Sequence, residues 1–123
     1  MRLDKFLKKI NLPFRLTGDS GDNKRIFIGD AESEDIIEAD NDDVPHGQGR
    51  NYARYIVHAA NILPALAAAV DELYAANNNS QRVVVDYPAG TCNAEDSHRE
   101  AGERLHNANA ALASVLARAK EVK

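Results

Sequence analysis

Apolar residues recur through Gly49–Ala76 at Tyr52, Ile56, Ala59, Leu63, Leu66, Val70 and Leu73, with intervals of 4, 3, 4, 3, 4 and 3. That alternation lays one apolar seam along a helix. The same intervals return at Ala101, Leu105, Ala108, Leu112, Val115, Ala119 and Val122. Two seams of equal length, with a connection that lets the chain turn back, predict an antiparallel helical hairpin.

The pattern before the hairpin is different. Leu3, Phe6, Leu7 and Ile10 follow helical spacing and predict a short helix over Arg2–Ile10, with Arg2, Lys5, Lys8 and Lys9 solvated. Such a basic amphipathic helix packs on its own domain or, as the sharper alternative, lies on a membrane surface. Pro13 ends it. Phe14 and Leu16 alternate with Arg15 and Thr17, Arg25–Ile28 follows, and Asp35–Ala39 completes a third segment of strand character. The turn-rich runs Gly18–Asn23 and Gly29–Glu34 join them into an antiparallel meander whose apolar face needs a cover. The expected class is α+β, with a short N-terminal helix, a small antiparallel β-meander and then a long antiparallel helical hairpin. It is read as a single domain over 1–123, divided at 47/48 between the meander part and the hairpin part.

Within the hairpin, Pro64 removes one backbone hydrogen bond and crowds the carbonyl of Ala60, at a cost of about 3 kcal/mol. Burying Ile56, Leu63, Leu66, Val70 and Leu73 at roughly 1.5–3 kcal/mol each outweighs it, so one helix with a bend before Pro64 is expected. Asn61 is close enough to bond backbone groups freed there. Asn77–Ser80 is expected to stop the helix. The β-branched Arg82–Tyr87 segment reads as a fourth strand or an extended segment laid along the hairpin. The link between the helices is then around twenty residues, 77–96, a length that marks loops with a function. Ser97-His98-Arg99-Glu100 matches a capping box opening the last helix.

Composition narrows the function classes. The 123 residues include 28% charged side chains and a formal net charge of -4, unlike a domain built to neutralise duplex phosphates. The single cysteine, Cys92, excludes an intramolecular disulfide. No unbroken apolar run reaches the length of about 18 residues that suggests a membrane span, and the N-terminus lacks a signal-peptide core, so the expected location is the cytoplasm.

Catalytic patterns are sparse. Gly18-Asp19-Ser20-Gly21 has the order of a serine-protease nucleophile loop, but Asp22 stands where glycine would follow, and a turn explains the run. Eight of the fourteen residues from Asp30 to Asp43 are acidic, without the alternating ligands and glycine bend of a calcium loop. Glu34, Asp35, Glu38, Asp40, Asp42 and Asp43 read as a solvated acidic edge or an interaction surface. The four histidines contain no metal-ligand spacing, and nothing near Cys92 activates a thiol. No catalytic residue, metal site or cofactor is expected. Arg50, Arg54, His58 and Asn61 share a stripe of the first long helix and, with Arg82, offer groups that hold a phosphate or carboxylate. A solvent-facing polar stripe with capping roles is the plainer reading.

Ala53-Arg54-Tyr55-Ile56-Val57-His58-Ala59-Ala60-Asn61, followed by Leu63 and Leu66, resembles a helix of small accessory proteins from tailed phages and prophages. That helix has the form N-A-x-F/L-I-V-x-A-x-N-x-x-x-x-L. It follows short strands and precedes an alanine-rich basic helix. Tyr52 departs from the pattern's first asparagine, with Asn51 one place earlier. The resemblance implies a phage origin, no assigned activity in most members, and action by binding a host component. A fainter similarity is to phage anti-defence proteins that sequester signalling nucleotides in an oligomer. The expectation is a non-enzymatic protein that inhibits a host factor, a bacterial defence component, with a homodimer or higher homo-oligomer open. The alternative is a sponge for a signalling nucleotide. Membrane and DNA are not expected partners.

Overall fold

The computed structural model describes residues 5, 7–19, 25–32, 37–40 and 49–121. Strands β1 (Arg15–Asp19), β2 (Arg25–Gly29) and β3 (Ile37–Asp40) form an antiparallel sheet in the order β1-β2-β3. Helices α1 (Gly49–Asp86) and α2 (Ala94–Lys120) complete the chain. Meander and hairpin are therefore present as α+β. The expected Arg2–Ile10 helix is not established. Residues 1–4 and 6 lie outside the described set, and the chain turns at Lys8–Ile10.

The chain forms two compact units, Met1–Pro64 with Ala119–Lys123, and Ala65–Arg118. In the first, period-two alternation puts Ile26 and Ile28 on the same face of β2, both essentially inaccessible to water. Leu16 pairs with Ile28 across the sheet, before a register shift between Leu16 and Gly18. Ala53 of α1 is fully buried against this cluster, and Phe14, Leu16 and Val57 pack around it. A small side chain at 53 lets the helix backbone approach the sheet closely.

In the second unit the hairpin is built largely on small residues. Ala94, Ala101, Ala108 and Val115 are the buried residues of α2, seven apart. Half-buried Leu105 and Leu112 lie between them. On α1 the matching line is Leu66, Ala69, Leu73, Ala76, Ser80 and Val83, with Ala69 and Ala76 buried. Both follow the heptad geometry of paired helices. From Ala101 to Val115 the α2 seam is the one the periodicity predicts, while Val122 of that seam lies outside the described residues. The α1 seam shares Leu66 and Leu73 with the prediction but runs through Ala69 instead of Val70, which is 49% exposed. The larger side chain marks the wrong line, because close helix approach selects the alanine.

This seam also corrects the reading of Asn77–Tyr87. α1 does not stop at the asparagines, and Arg82–Asp86 is helical instead of a fourth strand. Asparagine and valine are only moderately poor helix formers, roughly 0.5–0.7 kcal/mol each below alanine. Ser80 and Val83 extend the contact line by two turns, and packing overrides propensity. The connection is therefore short, 87–93, and not the long functional loop of the sequence reading. Gly90 has a φ of 89° and Asn93 a φ of 66°. The Thr91 amide and hydroxyl both donate to the Pro88 carbonyl, at 3.1 and 2.7 Å. Nε2 of His98 donates to the Tyr87 carbonyl at 2.7 Å and ties the turn to α2. Ser97 is not the cap. α2 begins three residues earlier at Ala94, and the Ser97 amide donates to the Asn93 carbonyl at 3.0 Å.

α1 runs unbroken through Pro64. Its composition also corrects the reading of membrane length. An 18-residue window of α1 has a mean hydropathy of 1.4, so by length and composition alone it could cross a bilayer. Counting only unbroken apolar runs missed it, because isolated polar residues interrupt an otherwise alanine-rich stretch.

Candidate functional site

The polar stripe of α1 is largely committed within the first unit. Asn61 Oδ1 accepts from the Phe14 amide at 2.6 Å, and Asn61 Nδ2 donates to the Phe14 carbonyl at 2.7 Å. A primary amide offers one acceptor and two donors, so it can pair with a peptide as a neighbouring strand would. Phe14 directly precedes β1, and the pair fastens that strand entry to the helix. Asn61 thus serves the sheet, and not backbone groups loosened by Pro64.

His58 Nε2 lies 2.7 Å from the carbonyl of Ala119. A carbonyl can only accept, so Nε2 carries the proton. Ala119 is in the last turn of α2, where carbonyls have no helical partner, and His58 supplies one. Arg50 is half-buried and also interacts within the chain. Arg54 is exposed. Arg82 is exposed on a later part of α1, in the other compact unit.

Of the acidic set, Glu34, Asp35, Asp42 and Asp43 lie outside the described residues. Glu38 is exposed on β3, where it pairs with Phe27 and has an interaction of its own. Asp40 closes β3, opposite Arg25. β3 is an outer strand, where acidic side chains discourage unwanted pairing. Cys92 is exposed in the connection. Among the described residues, no group of three or more His, Cys, Asp or Glu could hold a metal ion.

What the stripe reading missed is the neighbouring face. Tyr52 and Tyr55 are 53% and 67% exposed, with Ile56 beside them, all on the outward side of α1 in the first unit. Their spacing of i, i+3 and i+4 makes one patch. The sequence signal is present, since Tyr52 and Ile56 open the predicted seam, but that seam predicts them as core.

The second unit has one charged contact across the hairpin. Arg104 Nε donates to Glu72 Oε1 at 2.9 Å, and a second nitrogen donates to Oε2 at 3.3 Å. The hydrogen bond from Arg104, then its charge, holds the Glu72 carboxyl below its ordinary value of 4.5. The same bond raises the Arg104 guanidinium. Because the folded value is depressed, the stabilisation is present above the unfolded value and is lost as pH falls through the folded one. Glu72→Gln should therefore be less stable than the parent at neutral pH, with the gap closing as the solution is acidified below 4.5. The effect is small for an exposed pair. Parallel denaturant titrations across that range measure it, and a gap independent of pH would show that the bond contributes nothing.

Compared with protein-family models, curated proteins and solved structures, the chain matches none.

Proposed function

We propose that the chain is a non-enzymatic accessory protein of the phage type that its helix motif resembles, acting by docking on a host protein, a bacterial defence component. The observation that supports this is the solvent-facing Tyr52–Tyr55–Ile56 patch. Tyrosine is a residue type enriched at the energetic centres of protein interfaces, since it buries a large rigid area and keeps a hydrogen-bonding tip. The exposed Arg54, next to Tyr55 in sequence, adds a guanidinium that can fork onto a carboxylate.

A nucleotide site built on the polar stripe has less support. His58 Nε2 and Asn61 Nδ2 already donate to the carbonyls of Ala119 and Phe14.

The test is affinity capture from a susceptible bacterium with the immobilised full chain. One host protein should be retained by the parent and lost with Tyr52→Ser/Tyr55→Ser, whose side chains support little of the fold. If the parent retains nothing above a blank matrix, or the double variant retains the same protein equally, the reading fails.

A further inference from the structure

We draw no further inference here: the strongest candidate, the open groove between α1 and α2 lined by Val70, Leu73, Tyr74, Asn77, Leu105 and Asn109, is an unpartnered face, and nothing in the structure shows what covers it.

Discussion

Ile28→Ala should lower the free energy of unfolding by about 2–5 kcal/mol, a large share of what a small domain possesses. Ile26 and Ile28 are the largest side chains that the described residues bury completely. Among the described residues their cluster is completed by Ala53, Phe14, Leu16 and Val57. A cavity at Ile28 therefore weakens the sheet and the docking of α1 together. Denaturant titration measures this as a lower midpoint at an unchanged slope. A loss under about 1 kcal/mol would mean that the site refills, or that the sheet is not what holds the helix.

Asn61→Leu should cost about 2–3 kcal/mol, because it strands the amide and the carbonyl of Phe14 at once. The lower part of the range applies, since Phe14 is only half-buried and water can replace some of the loss. Asn61→Asp separates the two bonds. It keeps the acceptor for the Phe14 amide but turns a carboxylate oxygen toward the Phe14 carbonyl, so it should fall between the parent and the leucine variant. Hydrogen exchange gives the local readout, with protection of the Phe14 amide lost in Asn61→Leu. Unchanged stability and protection would return Asn61 to the pool of ligand-binding candidates.

Both experiments bear on the phage-like helix motif. Ala53 fills the space against β2, Val57 packs beside it, and Asn61 grips Phe14. Three of the motif's positions thus fasten a helix to a sheet. That is a structural use, which explains why the motif by itself points to no chemistry. The candidate stripe was legible as a set of neighbours on one helix face. What its members bond to was not, because Phe14 and Ala119 are remote from them in the sequence.

Local pattern fixed a good deal about this protein. Alternation placed three strands, heptad spacing placed two helices, and the α2 seam is legible residue by residue from Ala101 to Val115. These are short-range regularities, repeating every two or every three to four residues, and they survive whatever packs on them. Which face of α1 turns inward was a tertiary decision. α1 carries apolar residues on several faces, and the sheet took Ala53 and Val57 while the partner helix took Ala69 and Ala76. The bulkier Tyr52, Val70 and Tyr74 were left toward solvent. Small residues win where backbones must approach closely, and a ranking by hydrophobicity cannot see that constraint. The same packing carried the helix past Asn77–Ser80, against the local preference of those residues, and so reduced a long loop to a tight turn.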